Sequence, residues 1–576
     1  MTDAHDITHA LLPIVMGVTG HRDIQDPEQI RTVLDRAIKN IRDMYPSTPL
    51  VALSALAEGA DRLFARAVLD AHIPLYVPLP FSAEEYEKDF PDSVDAFRAL
   101  CREAEAVFPI PWAPGVAPSD IMMAPGATPP AQRDWQYALA GIYLAQRSHI
   151  LFALWDGQEA RGTGGTAQIV HYRVHGHLDA QGWSEDDRLL MQSVAPTSLL
   201  DEPEPSGVCH VRVRRQGAPP VPEGVSAVWI PAGGPDYESL HRLNDYNRRA
   251  RGLMKKSSPD SPNSSECSDS SSQPTVVEQE SAKLTRKYTI ADALAKSEIQ
   301  DLRTHFQYIF WMAGGMIVSH ELYVEGQPIW AWLPNWVWLL VYLLLLTGIG
   351  WQVWRMRHHQ KTAEAVDDRA LAEGLRVQRA WFRAGLPDLV SQRYLRRYSE
   401  GLGWIRQALR GASLAYHADA KTADIQRVDT CWVQDQRDYY AGSVKRRGAV
   451  VRPLSRASVV FFAAGVILVL VTLPIRIVDW MPQYSVLPRV LDFLIGLFPA
   501  VAGLLSGYLE FAAYEDDIRE HERAHGLFAR ASHKLAGDYP LSEKQTLIRE
   551  LGIEVLIEHA NWAILHKNHD AKAPSG

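Results

Sequence analysis

The 576-residue sequence predicts an α/β domain with a mainly parallel sheet, followed by an all-α helical transmembrane domain. Three observations carry this reading. Residues 1 to about 250 alternate short apolar runs with helical patterns. "KKSSPDSPNSSECSDSSSQPTVVEQES" (255–281) then loses nearly every bulky apolar group. Beyond it, the apolar residues collect in four long runs. The bulk values, 47% hydrophobic and 22% charged with a mean hydropathy of −0.16, resemble those of a soluble protein because they average these runs with a polar remainder.

The strands come first. "PIVMGV" (13–18), "LVALSAL" (50–56), "PLYVPLP" (74–80) and "HILFALW" (149–155) are short apolar runs bounded by turn residues, with weaker candidates at "CHVRVR" (209–214) and "AVWIP" (227–231). Between the first two, "PEQIRTVLDRAIKNIRDMY" (27–45) opens on proline and repeats apolar residues at helical spacing. Together they define a domain over residues 10–250. Residues 255–283 read as a disordered Ser/Pro-rich linker, too poor in apolar surface to offset the entropy of ordering.

The membrane domain, 284–570, is expected to cross the bilayer four times, at about 305–324, 330–354, 457–474 and 490–509. The basic flanks "LTRK", "RMRHHQK" and "SVKRRGAVVRPLSR" place both termini and residues 355–456 on the cytoplasmic side. The helical patterns at 364–386, 396–417 and 515–536 read as cytosolic extensions of the membrane helices. Gly503 and Gly507 stand at small-xxx-small spacing, suited to close packing within one subunit or between two. Arg489 and Asp492 mark the outer end of the last span.

A net charge of −9 gives no argument for nucleic acid as partner, since phosphate affinity comes mainly from Lys and Arg. Cys101, Cys209, Cys267 and Cys431 are too scattered for a disulfide framework or a Cys-based zinc site and fit a reducing compartment. No basic stretch precedes a long apolar core at the N-terminus, so no secretory signal is expected and the first domain should be cytosolic.

Three strand-to-helix turns could carry chemistry. In "GVTGHRDI", Gly17, Thr19, Gly20, His21 and Arg22 follow the first strand, where a parallel sheet ordinarily meets its ligand. Glycine permits close backbone approach, and an arginine forks onto phosphate. In "SALAEGADRLFARAV", Glu58, Gly59, Asp61 and Arg62 occupy the next turn; Asp61 reads equally as a helix cap or a ribose ligand. In "WDGQEARGTGGTAQIV", Asp156, Gly157, Gly162, Gly164, Gly165 and Thr166 form a glycine-rich loop ahead of a helix, whose free amides and positive dipole end would cradle phosphate. Three such turns on one sheet edge predict one nucleotide-sized crevice. Two metal motifs compete: "HERAH", with His521 and His525 as ligands and Glu522 as base, and "HYRVHGH", with His171 and His175 one turn apart. For both, an ordinary solvated helix is the bland alternative, and no cofactor or metal is expected.

"GVTGHRD", "ALAEGADRLFA", "VPLPFSAEEYEKDF" and "LWDGQEARGTGGT", in that order, resemble the SLOG domains, Rossmann-like relatives of the LOG phosphoribohydrolases and of DNA-processing protein A, over residues 10–240. "RALAEGLRVQRAWFRAGL" and "LGIEVLIEHANWAILHKNHD" are more loosely similar to the SLATT membrane effectors. The resemblance implies an antiviral-defence protein of the bacterial inner membrane that senses a nucleotide-derived second messenger, supplied by a signal-producing enzyme. It would respond as a homo-oligomer among membrane lipids by pore formation or depolarisation. The LOG pattern P-G-G-x-G-T-x-x-E ends on a catalytic glutamate, and Ile169 stands there in this chain. That departure favours sensing over hydrolysis. A membrane-attached nucleotide hydrolase using Glu58 as base and a nucleic-acid-binding membrane protein remain the alternative readings.

Overall fold

The computed structural model describes residues 9–113, 116–122, 131–159, 164–177, 207–215, 225–256, 276–325, 333–358, 361–395, 401–414, 423–477, 486–511 and 514–568. The first compact unit is built on a seven-stranded sheet: β1 (Ile14–Gly20), β2 (Leu50–Leu53), β3 (Leu75–Leu79), β4 (Ala106–Pro109), β5 (Ile150–Trp155), β6 (Gly207–Arg212) and β7 (Ala227–Ile230). Their order is β4-β3-β2-β1-β5-β6-β7, parallel except for the antiparallel edge strand β7. All six expected strands are present. β4 adds a seventh from "AVFP", too short to announce itself.

The central strands are covered on both faces, so they read as continuous apolar runs rather than alternating ones. Ile14, Val15, Met16 and Val18 of β1, with Leu151, Phe152 and Leu154 of β5, are wholly buried. The covering helices are α1 (Pro27–Met44), α2 (Ala60–Asp70), α3 (Val94–Glu103), α4 (Ala131–Arg147) and α5 (Thr166–His175). In α1, Pro27 opens the first turn and Ile30, Leu34, Ile38 and Ile41 form the buried stripe.

The same unit takes in residues far along the chain: 1–294, 367–424 and 548–560 cluster together. This corrects the division at 250 and 284. The segments involved belong to α6 (Tyr237–Lys256), α7 (Val276–Glu325), α9 (Lys361–Arg383), α10 (Gly403–Arg410) and α14 (Leu541–Asn568), introduced here with α8 (Trp336–His358), α11 (Asp435–Ile477), α12 (Val486–Phe511) and α13 (Tyr514–Leu535). Specific bonds hold the late segments to the sheet. His149 accepts the Val15 N–H at 2.9 Å through Nδ1 and donates from Nε2 to the Gln407 carbonyl at 2.7 Å. Tyr143 donates to the Leu414 carbonyl at 2.7 Å, and Arg249 forks onto Asp368 at 2.6 and 3.0 Å. The expected linker is corrected at both ends: Lys255 and Lys256 close α6, and α7 begins at Val276. Lys283 Nζ lies 2.9 Å from Tyr76 Oη and 2.8 Å from Glu105, anchoring that helix on the sheet. Residues 257–275 lie outside the described residues.

The second unit, 295–366, 425–547 and 561–576, is helical. Among the described residues three helices are long and apolar enough to cross a membrane: Trp336–Met356, Ile425–Ile477 and Leu487–Leu535. The expected span at 305–324 is not among them; it ends α7, where His320 and Glu321 dilute a short apolar run. Within this unit Ser458 donates to the Ala502 carbonyl at 2.9 Å and pairs with Ser506 at 2.8 Å. Among the described residues a side chain added at Gly503 or Gly507 would meet nothing within 4 Å, so neither glycine packs closely against them. Asp492 of α12 pairs with Arg476 of α11.

Candidate functional site

The strand order reverses direction between β1 and β5, and a ligand crevice in an open parallel sheet belongs at such a switch point, beyond the carboxyl ends of the strands. A cavity of about 550 Å³ lies there. Its walls come from the segments after β1, β2, β3, β5 and β6, from one face of α4 and from the start of α5.

Of the expected site residues, Thr19, Gly20, His21, Arg22, Asp61, Gly164, Gly165 and Thr166 line the cavity. The turns converge because two glycines accept backbone shapes closed to other residues. Gly59 has φ +73°, and a Cβ there would lie 2.1 Å from the Arg22 carbonyl oxygen. Gly59 thus lets the first two turns pack, and the Ala60 N–H donates to the His21 carbonyl at 3.0 Å. Gly164, with φ +78°, presses on the backbone of Ala138 in α4. Its N–H is already given to Gln168 Oε1 at 2.8 Å, so the anion-binding capacity of this turn rests on the first amides of α5, at Thr166 and Ala167 on the cavity wall.

Asp61 is buried in the first turn of α2 and does not cap it; the cap position is Gly59. Burial raises its pKa, the Ala57 N–H and the cations Arg22 and Arg62 only partly oppose this, and the carboxyl is pushed up to about 7. His21 is pinned between Asp156, whose backbone N–H lies 3.2 Å and whose Oδ1 lies 3.1 Å from Nε2, and Arg215, whose Nη2 lies 3.2 Å from Nδ1. Burial works to raise the Asp156 pKa, but the Gln158 N–H, His21 and Arg215 together hold it below the usual carboxylate range.

The other expected residues stand outside the lining. Gly17 lies within β1 with Ser148 packed against it. Glu58 accepts from the Ser93 hydroxyl, and Arg62 donates to the Leu56 carbonyl at 3.1 Å and to Ser93 Oγ at 2.8 Å, so both brace the turn. Asp156 reaches the cavity only through His21 and Arg215. Gly157 is exposed, and Gly162 lies outside the described residues. Ile169, at the LOG glutamate position, is buried on the wall against Gly141 of α4.

Sequence reasoning missed the α4 wall. Arg133 is buried with Nη1 on Glu85 Oε1 at 2.7 Å and on the Ile121 carbonyl at 2.8 Å, Nη2 on Asp89 at 2.7 Å, and its plane 4.3 Å over the Phe81 ring. Tyr137 donates to the same Asp89 carboxylate, which fixes its ring at the cavity. The Arg22 guanidinium lies 5.6 Å from that ring's centroid and bonds to the Tyr137 hydroxyl at the cavity wall. Tyr86, Asp89, Asp134, Glu159 and Arg215 complete the polar lining. The available signal was Arg133, Tyr137 and Gly141 recurring every fourth residue in "AQRDWQYALAG", which puts them on one face of the helix.

Neither metal motif assembles a site. His521 is held by Ser443 Oγ at 3.0 Å and Arg447 at 3.1 Å, and His171 Nδ1 faces the His177 carbonyl at 3.1 Å. Among the described residues no three His, Cys, Asp or Glu side chains are grouped to hold a metal ion. Compared with protein-family models, curated proteins and solved structures, the chain matches none.

Proposed function

We propose that the cavity binds a nucleotide-derived ligand and that the chain is a membrane effector that senses it. The observation that carries this reading is the cavity of about 550 Å³ at the β1/β5 switch point, with the amide end of α5 on one wall and Arg22 stacked beside an anchored tyrosine on another. An amide-lined helix start suits a phosphate, and Tyr137 with Trp155 offers aromatic faces to a base or ribose. The likeness to SLOG domains supports the same ligand class. The three apolar helices support a place in a membrane, for which we propose the bacterial inner membrane with both termini cytoplasmic. Ligand binding would then favour one arrangement of a homo-oligomer and reorganise its membrane helices, in defence or stress. The shift can be no larger than the ligand's preference for that state.

The test is thermal melting of the full chain in neutral detergent against cyclic ADP-ribose forms, cyclic oligonucleotides, NAD and AMP. A fragment ending at residue 250 would omit helices that belong to the sheet unit. A shift that disappears when Thr166 is replaced by proline, which removes an amide at a position that tolerates the ring, supports the reading. A full panel without any shift in the folded protein overturns it.

One observation favours hydrolysis as a second reading. Asp61 places a carboxyl titrating at about 7 on the cavity wall, the poise of a general acid. Glu58, the base considered earlier, is turned to Ser93. Nucleotide turnover abolished in Asp61→Asn would establish this reading.

A further inference from the structure

In the second unit, α11 runs from a polar segment into a strongly apolar one, and its exposed face changes character along its length. Lys445, Arg446, Arg452 and Arg456 are exposed, and none has a carboxylate partner among the described residues. Arg452 and Arg456 are one helical turn apart, and Lys445 lies two turns before Arg452 on the same face. Continuing along that face, Val459, Val460, Ile467 and Leu470 are each 59–66% exposed. With a rise of about 1.5 Å per residue, Arg456 lies roughly 5 Å and Arg452 roughly 10 Å before Val459. That is about the depth of a phospholipid headgroup layer outside the hydrocarbon.

Glu510 of α12 is exposed near this level without an ion pair to Arg452 or Arg456, and the acidic groups at the start of α13 take other partners. Asp517 takes Arg447 at 3.0 Å, and Arg519 reaches Glu515 at 3.5 Å and Asp516 at 3.9 Å. The stripe is therefore an uncompensated pair of guanidinium groups immediately below an exposed apolar face.

We propose that Arg452 and Arg456 form a binding site for the phosphate of an anionic phospholipid, with its acyl chains against Val459, Val460, Ile467 and Leu470 and with Lys445 extending the basic stripe away from the bilayer. Guanidinium forks match phosphate oxygens in pairs, and the apolar stripe supplies the surface that a soluble phosphate could not use. The acyl contact selects a lipid over a free phosphorylated metabolite.

The proposal is independent of the ligand cavity but requires the apolar helices to lie in lipid. Reconstitution into phosphatidylcholine vesicles checks that requirement separately: a chain that stays with the vesicles through alkaline carbonate is integrated. The decisive experiment titrates phosphatidylglycerol, phosphatidylcholine and inorganic phosphate into the full chain in neutral detergent and follows its melting. Phosphatidylglycerol should stabilise at concentrations where the other two do not, and this preference should weaken from 50 to 500 mM salt. A membrane-proximal cation contributes about fivefold in affinity for an anionic surface, so Arg452→Gln with Arg456→Gln should weaken the preference about 25-fold. Arg452→Lys with Arg456→Lys should retain most of it. Equal stabilisation by phosphatidylcholine, equal stabilisation by inorganic phosphate, or an unchanged preference in the Gln pair overturns the proposal. If the Gln pair does not fold, the wild-type salt dependence decides: a preference insensitive to salt overturns it.

Discussion

In the sheet unit Phe152, Leu151 and Leu154 are wholly buried, whereas in α8 Leu339, Leu340, Leu343, Leu344 and Leu346 are 46–70% exposed. The residue types are alike and the placement is opposite. Burial from water stabilises the first group by about 1.5–3 kcal/mol per side chain, and a chain that left the second group in water would forgo that gain along a whole helix. The contrast teaches that like residues are put to opposite use in the two units, and the exposure in the second fits the proposed place in a membrane. In one the apolar residues meet each other. In the other they meet what surrounds the protein.

The largest effect that tests this contrast is in the core. Phe152→Ala should cost about 3–5 kcal/mol, read as a lowered denaturation midpoint of the full chain in detergent, because it empties a site packed against Phe64. Leu344→Ala, 70% exposed in the wild type, should change stability by less than about 0.5 kcal/mol. Equal costs for the two would mean that α8 packs on protein, and the comparison would fail.

A comparable effect sharpens the contrast inside the sheet unit, where a charged group is buried instead of an apolar one. Asp61 has a carboxyl raised by burial to about 7, against an ordinary value near 4 when unfolded. The native state therefore holds a proton that the unfolded state releases. Asp61's contribution to stability is fully present below pH 4 and is lost as pH rises to about 7, a change on the order of 4 kcal/mol at most. Asp61→Asn keeps an acceptor for the Ala57 N–H and removes the charge, so it should raise the melting temperature at pH 8 and flatten the slope between pH 4 and 7. A slope unchanged by the substitution would assign the titration elsewhere.

What was legible in the sequence follows from the same contrast. Continuous apolar runs flanked by turns gave β1, β2, β3 and β5, because strands covered on both faces have no polar side to alternate with. The three glycine-bearing turns were legible as turns, and the sheet order brings them to one crevice. The partner of an amphipathic helix was not legible. The 364–386 pattern states that one face is buried, and nothing in it says that Trp381 packs in the sheet unit, where it donates to the Ile548 carbonyl at 3.3 Å. The spacing of Arg133 and Tyr137 was legible but their role was not, because it depends on Asp89, 44 and 48 residues earlier, which only the fold brings near. The exposure of the α11 stripe likewise depends on what the acidic residues of α13 choose as partners.

A smaller effect separates scaffold from site on α4. Tyr137→Phe removes the hydroxyl given to Asp89 but leaves that carboxylate on Arg133. A lost bond to a charged acceptor costs about 1.5–3 kcal/mol, and the remaining Arg133 contact should keep the loss at the lower end, measurable by chemical denaturation. Ligand affinity should fall with it, since the ring loses its anchor.

The smallest stability effect is expected at Arg22, and it is the most informative about function. Arg22 is an exposed residue whose guanidinium rests 5.6 Å from the Tyr137 ring centroid, and a cation over an aromatic face near the surface contributes only about 0.5–1 kcal/mol. Arg22→Ala should therefore leave unfolding within about 1 kcal/mol of wild type. If the cavity takes a phosphorylated ligand, the same change removes a charge-assisted fork worth about 1.5–3 kcal/mol, a loss of roughly 10- to 150-fold in affinity by isothermal titration. Arg22→Lys should recover part of it, as charge without the fork. The two regions then differ in kind as well as in place. The core residues that hold the sheet are silent toward ligand except through the fold, and the residue proposed to answer the ligand is silent toward stability. If Arg22→Ala instead melts the domain and leaves affinity unchanged, Arg22 belongs to the scaffold, and the amide end of α5 must hold the ligand's negative charge alone.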